Sequence, residues 1–139
     1  MHQLCHRAVS SLSLNTGDPL FFPQEVSVAR MYFLLSGSME YVCEDLSERC
    51  RSIKLSPGSY CCESALWMAK VHEGSLVASS NCSLLALDAL IFHRVISEFR
   101  REIPAILQYA RTFVSNANEV LRERLLHMDV GEDGFDAHV

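Results

Sequence analysis

The hydrophobic pattern of this chain changes period once, close to Asp88, and that change confines the fold to one class. Upstream, apolar and polar residues alternate. Met31, Phe33 and Leu35 share one face of a strand predicted over Arg30 to Gly37, and Met39, Tyr41 and Cys43 share a face of the next, Ser38 to Glu44. A period of two is that of a half-buried strand. Ser36-Gly37 supplies the tight turn between them. Asp45 to Arg49 reads as a polar hairpin loop with Cys50 to Leu55 as its returning strand, and Asn81 to Leu87 is the last strong strand. From Ala89 the apolar residues fall three and four apart instead. Ile91, Phe92, Val95, Ile96 and Phe99 line a first helix running to Glu102, with Asp88 placed as its N-cap. Pro104 starts or bends a second helix, whose stripe of Ile106, Tyr109, Ala110, Phe113, Ala117, Val120, Leu121, Leu125 and Met128 makes it an amphipathic rod. Strands followed by helices give an α+β chain.

With 139 residues, 49% of them hydrophobic, the chain can bury one core but hardly two. The longest apolar runs, Met31 to Leu35 and Leu84 to Leu87, fall far below the roughly 18 residues of a membrane span. The N-terminal MHQLCHRAVSS lacks the apolar stretch of a signal peptide, so a cytoplasmic location is expected. The six cysteines (Cys5, Cys43, Cys50, Cys61, Cys62, Cys82) are scattered and are expected as reduced thiols. Adjacent Cys61 and Cys62 are expected on opposite faces of a strand, and Cys43 and Cys50 on facing arms of the hairpin.

Several function classes are disfavoured by the same residues. A net charge of −5 opposes nucleic-acid binding, which needs a basic surface to displace counterions. The basic cluster of Arg94, Arg100, Arg101 and Arg111 is interleaved with Glu98 and Glu102, as on a solvated helix face. His2, His6, His93, His127 and His138 show no metal-ligand spacing. No Gly-x-Ser-x-Gly elbow, Gly-rich loop before a Lys or His-Glu-x-x-His pair occurs, so no enzyme, metal or tightly held cofactor is expected.

The segment Gly58 to Ala78, GSYCCESALWMAKVHEGSLVA, carries the functional signal. It reads as a Pro57-Gly58 turn, a short strand, an acidic residue at Glu63, a helical turn or two from Ser64 to Ala69, and a strand from Ser75 to Ala78. In length and register it resembles the phosphate-binding cassette of cyclic nucleotide-binding domains. The TGDPLFFPQE stretch from Thr16 to Glu25 resembles that family's Gly-Asp start and aromatic strand, with Gln24 where a glycine is usual. RMYFLLSGSMEYV, Arg30 to Val42, is similar to its strand, Ser-Gly turn and strand, and NCSLLALDALIFHRVISEF, Asn81 to Phe99, to its last strand and first closing helix. The Leu66-Trp67 pair looks more like the homologous domains of ether-à-go-go type and protist ion channels.

The resemblance implies an antiparallel, jelly-roll-like β-roll of about eight strands over residues 12–88, a short cassette helix and two helices over 89–128, followed by a flexible acidic tail at 129–139. It implies a pocket formed by Cys62, Glu63, Ser64, Ala65, Leu66, His72, Glu73, Gly74 and Ser75, with Leu121 and Leu125 on a lid helix. The grip on phosphate is missing, however. His72 stands at the family's arginine position, Glu73 at its first small residue, and Cys61 and Cys62 at its Phe-Gly pair. An arginine fork donates two charge-assisted bonds and a neutral imidazole one uncharged bond. Loss of such a desolvated charge partner costs about 2 to 5 kcal/mol, so weak or absent binding of cyclic AMP and cyclic GMP (cAMP/cGMP) is expected. Cys62 also occupies a place where glycine would permit positive φ.

The expected role is therefore a regulatory or assembly domain whose partners are other parts of the same polypeptide or identical subunits. A channel setting would bring it to a membrane indirectly. In the alternative, a cyclic nucleotide sensor with atypical phosphate recognition, Glu63 would hold a ribose hydroxyl and the backbone N–H groups of Ser64, Ala65 and Leu66 the phosphate. Two further readings attach to single features. Phe135 with Asp136 or Glu132 of the tail would fill the pocket as an internal ligand, and Trp67 with Tyr60 would edge a site for a flat uncharged heterocycle.

Overall fold

Strand β3 (Arg30–Ser36) is buried on both faces, and the rest of the architecture is arranged around that fact. The computed structural model describes residues 6–24, 29–43, 52–69, 71–99, 101 and 103–127, with side chains of the last helix through residue 119. Two four-stranded antiparallel sheets form the β-roll. One has the order β1 (Val9–Leu14), β8 (Cys82–Asp88), β3, β6 (Tyr60–Cys61). The other has the order β2 (Pro19–Phe21), β7 (Gly74–Ala78), β4 (Met39–Cys43), β5 (Ile53–Leu55). Two helices follow, α1 (Ala89–Ser97) and α2 (Ile103–His127). Eight strands and two helices match the α+β β-roll expected of the sequence, with the first strand starting a few residues earlier, at Val9.

The main core lies between the sheets. Tyr32 and Leu34 of β3 pair with Ala86 and Leu84 of β8, and Met39 and Tyr41 of β4 with Ala78 and Leu76 of β7. All eight point inward, and Met39 and Leu76 are wholly inaccessible. The opposite face of β3 builds a second apolar cluster, in which Met31 joins Leu87, Ala8, Leu66 and Ala89, with Phe33, Trp67 and Phe92 packed against it. Met31 and Phe33 share this face of β3, as expected. Leu34 is the deepest residue of the strand, with Met31 and Tyr32 also buried, whereas Leu35, expected on the face of Met31 and Phe33, is exposed beside a register shift between Leu34 and Ser36. A strand covered on both faces reads as a continuous apolar run, so alternation does not reveal which side is deeper.

Helix α1 starts where its cap predicts, the Asp88 carboxylate accepting the Ile91 N–H at 3.0 Å. It stops at Ser97, short of the expected Glu102, and α2 follows with Pro104 in its first turn, where a missing N–H costs nothing. Among the described residues no helix is long and apolar enough to cross a membrane. The predicted hairpin loop Asp45 to Arg49, the Cys43–Cys50 juxtaposition, the side chains of Leu121 and Leu125, and the tail 129–139 lie outside the described residues.

Candidate functional site

The cassette is moored to β3 before it turns. The Gly58 N–H donates to the Leu34 carbonyl and the Leu34 N–H to the Ser59 carbonyl, each at 2.9 Å, and β6 then pairs Cys61 with Tyr32. At Cys62 the backbone turns left-handed, φ 63° and ψ 29°, and enters a single 3-10 turn, Glu63–Leu66. That turn is shorter than the Ser64 to Ala69 helix expected. Its first bond runs from the Ala65 N–H to the Cys62 carbonyl at 3.0 Å, and its apolar tip, Leu66, is buried in the cluster outside β3. The left-handed step also places the two cysteines differently from a continuous strand. Cys61 is buried in the core between the sheets and Cys62 packs partly buried against that same core, so they do not face opposite ways. The hydrogen bond shared with the Cys62 thiol, and after it burial, pushes the Cys61 thiol well above its usual range.

The chain returns through His72 and Glu73 into β7. The His72 ring stacks on Phe21 of β2, with centroids 3.7 Å apart and planes 9° apart, and its carbonyl accepts the Gln24 N–H at 2.8 Å. Gln24 has φ 56°, and among the described residues it and Cys62 are the two non-glycine residues with positive φ. These are two positions at which the sequence comparison places glycine. The backbone geometry is therefore kept by residues that adopt it at a cost. Glu73 is exposed and Gly74 buried; a Cβ on Gly74 would lie 2.5 Å from the Val42 carbonyl oxygen. Arg30 is engaged elsewhere, its Nε 3.9 Å from the Asp88 carboxylate and its side chain hydrogen-bonded with Tyr32.

Glu63 faces the helices. Its Oε1 accepts the Tyr109 hydroxyl of α2 at 2.5 Å and, more distantly, the Trp67 indole N–H at 3.5 Å. Trp67 meets Tyr109 edge-on at 5.8 Å and Phe92 of α1 at 5.7 Å, while His93 Nε2 lies 2.6 Å from the Leu66 carbonyl oxygen. Between these elements lies a cavity of about 360 Å³, walled by Leu66, Trp67, His93, Ile96, Ile106 and Leu107 among others. Trp67 thus borders a cavity as expected, whereas Tyr60 packs in the cluster outside β3.

The Tyr109 phenol is pushed up to about 12 from an ordinary 10.0, first by its bond to Glu63, then by burial and the Glu63 charge. The native state holds this proton more tightly than the unfolded chain. The contribution to stability is fully present below pH 10, and it is lost as pH rises from about 10 to about 12. A tyrosinate absorbance titration should lose part of its late change in Tyr109→Phe, the remainder belonging to Tyr32, which burial also raises; a late change left whole in Glu63→Ala would show that the Glu63 bond is not the cause of the Tyr109 shift.

No family model and no curated protein matches the sequence. Solved structures do. The catabolite activator protein of Thermus thermophilus superposes with a TM-score of 0.61 at 23% identity, over 88% of this chain and 54% of that one. The N-terminal domain of a transcriptional regulator from Streptomyces coelicolor gives 0.66 at 18%, over 81% and 80%. A regulatory subunit of a cAMP-independent protein kinase A from Trypanosoma brucei gives 0.55 at 21%, over 71% and 38%. The fold is the β-roll of these structures. This chain spans about half the length of the Thermus protein.

Within this fold, Cys62, Glu63, Ser64, Ala65 and Leu66 form one turn, and His72, Glu73, Gly74 and Ser75 lead into β7. Sequence reasoning missed the partners that occupy these residues. Phe21 was read only as part of an aromatic strand and Tyr109 only as a rung of an apolar stripe. Tyr109 stands 46 residues from its acceptor, and no local spacing links them.

Proposed function

We propose that this β-roll is a regulatory and assembly domain that does not hold cyclic nucleotides tightly, and that it joins identical subunits or other parts of its own polypeptide through α2. The observation that carries the reading is α2 itself. It runs for 25 residues, and none of its described side chains, at positions 103–119, is buried within the chain. Leu107 and Tyr109 are each about half exposed, and a second hollow runs along Leu107, Ala110, Val114 and Asn118. A helix of that length draws its stability from burying an amphipathic face, and a partner supplies the surface the β-roll does not.

The weak-binding half of the proposal has separate support. His72, at the position where an arginine would grip phosphate, lies flat on Phe21, and Glu73 adds a carboxylate beside it. One structural neighbour is itself described as a cAMP-independent kinase subunit. The net charge of −5 makes nucleic acid an unfavourable partner for this domain, and a non-catalytic, cytoplasmic role fits the same picture. The cytoplasmic end of an ion channel, to which the Leu66-Trp67 pair points, is one setting for such a domain. The second reading, a cAMP or cGMP sensor with atypical phosphate recognition, is favoured by one observation: Cys62 and Gln24 adopt positive φ at positions where the resembling family has glycine.

Calorimetric titration with cAMP and cGMP, paired with sedimentation equilibrium, separates the two readings. The proposal expects no saturation at micromolar ligand and concentration-dependent self-association that is lost when Leu107 and Val114 are changed to Glu. Micromolar binding by the wild type would transfer the assignment to the sensor.

A further inference from the structure

Resting on the reading of α2 as the assembly helix, the inference concerns how its position is set. Glu63 opens the 3-10 turn of the cassette, and Tyr109 sits in the second turn of α2. Their bond at 2.5 Å joins the cassette to α2 beside a largely apolar cavity of about 360 Å³. Tyr109 is 52% exposed, so burial does not hold its ring in place. A phenol donating to an ionised carboxylate forms a charge-assisted bond, stronger than one between neutral groups. The Trp67 indole shares the same oxygen and lies edge-on to the Tyr109 ring, which makes the single tryptophan of the chain a direct neighbour of the contact.

We propose that Tyr109 and Glu63 form a latch that holds α2 across the cassette, so that whatever claims the Glu63 carboxylate releases the helix. Because the phenol belongs to the same chain, it competes at an effective concentration on the order of millimolar, and only a ligand that brings its own donors to Glu63 at comparable strength opens the latch. The chemistry that qualifies is an uncharged polyhydroxy compound. The Glu63 carboxylate repels anions, and an aliphatic diol presents two donors to it. The latch ties occupancy of the cassette to the surface on which subunits assemble. Tyr109 acts as a positioning residue through Glu63.

The test uses Trp67 emission and iodide quenching in the full chain. Tyr109→Phe removes only the hydroxyl and should expose Trp67, giving a red-shifted emission and stronger quenching as the latched-to-open ratio falls roughly tenfold. Glu63→Ala should produce at least this change, since it also removes the acceptor of the Trp67 indole, and the double variant should go no further than Glu63→Ala, because the Tyr109 hydroxyl acts only through Glu63. Glu63→Gln retains an acceptor oxygen and should keep an intermediate shielding. Unfolding midpoints and far-ultraviolet circular dichroism report that each variant folds. Unchanged Trp67 signals in both single variants, or additive effects in the double variant, overturn the latch. Those outcomes leave the cyclic nucleotide titration and the sedimentation result untouched, so a failed latch is distinguishable from a failed assembly reading.

Discussion

Replacing Leu76 by Ala is expected to lower the unfolding free energy by about 3 to 5 kcal/mol, the upper part of the range for emptying a buried leucine site. Leu76 is at the centre of β7, paired with Tyr41 of β4 on one side and Phe21 of β2 on the other, with no accessible surface. Its neighbours are anchored from both sheets and from both sides of the strand. The site therefore cannot collapse onto the missing atoms, and the loss of transfer energy is joined by an unfilled cavity. Domains of this kind have only about 5 to 15 kcal/mol in total, so the variant should sit near the edge of folding. A urea titration with unchanged slope and a lower midpoint is the expected result. A loss below about 1 kcal/mol would mean that Leu76 does not occupy the close-packed centre assigned to it.

A comparable loss should follow Gly37→Ala, for a different reason. Gly37 closes the turn between β3 and β4 with φ +88°, a region that side chains disfavour, and an added Cβ would lie 2.3 Å from the Asn81 carbonyl oxygen and 2.8 Å from the Cys82 sulfur. Backbone strain of about 1 to 2 kcal/mol would then be joined by a clash costing about 1 to 3 kcal/mol, because the opposing atom is backbone at the start of β8 and Cys82 is itself buried. Gly17→Ala separates the two causes, since Gly17 has nearly the same φ, +91°, with nothing within 4 Å of the added carbon. Gly37→Ala should be the more damaging by at least about 1 kcal/mol in chemical denaturation. Equal effects of the two variants would leave backbone strain as the whole explanation.

The two changes bear on the site as well as on stability. The cassette hangs from β3 through the Leu34 backbone and re-enters the fold at β7. Loosening either strand should loosen His72 against Phe21 before the chain unfolds.

Much of this arrangement could be read from residue order. The Ser36-Gly37 turn, the Asp88 cap and the inward Met39 and Tyr41 are local, because the group that satisfies each need lies within a few residues along the chain or on alternate positions of one strand. That Cys62 stands where a glycine would permit positive φ came with the family resemblance, and its φ is 63°. The depth of β3 was not legible, since Met31, Tyr32, Phe33 and Leu34 are all apolar and only the covering of both faces ranks them. The orientation of the two cysteines depended on that left-handed step at Cys62, which ends the strand a residue early.

Alternation and helical spacing, with one cap and a few glycines, determined the class of fold and the order of its elements, because backbone periodicity is a property of near neighbours; the outline of the cassette came from the resemblance of Gly58 to Ala78 to a known family. The tertiary structure alone decided what the cassette touches. It set His72 flat on Phe21 and gave the Glu63 carboxylate to Tyr109. Contacts between residues tens of positions apart are chosen by how sheets and helices close on one another, and a linear pattern carries no coordinate for that closure.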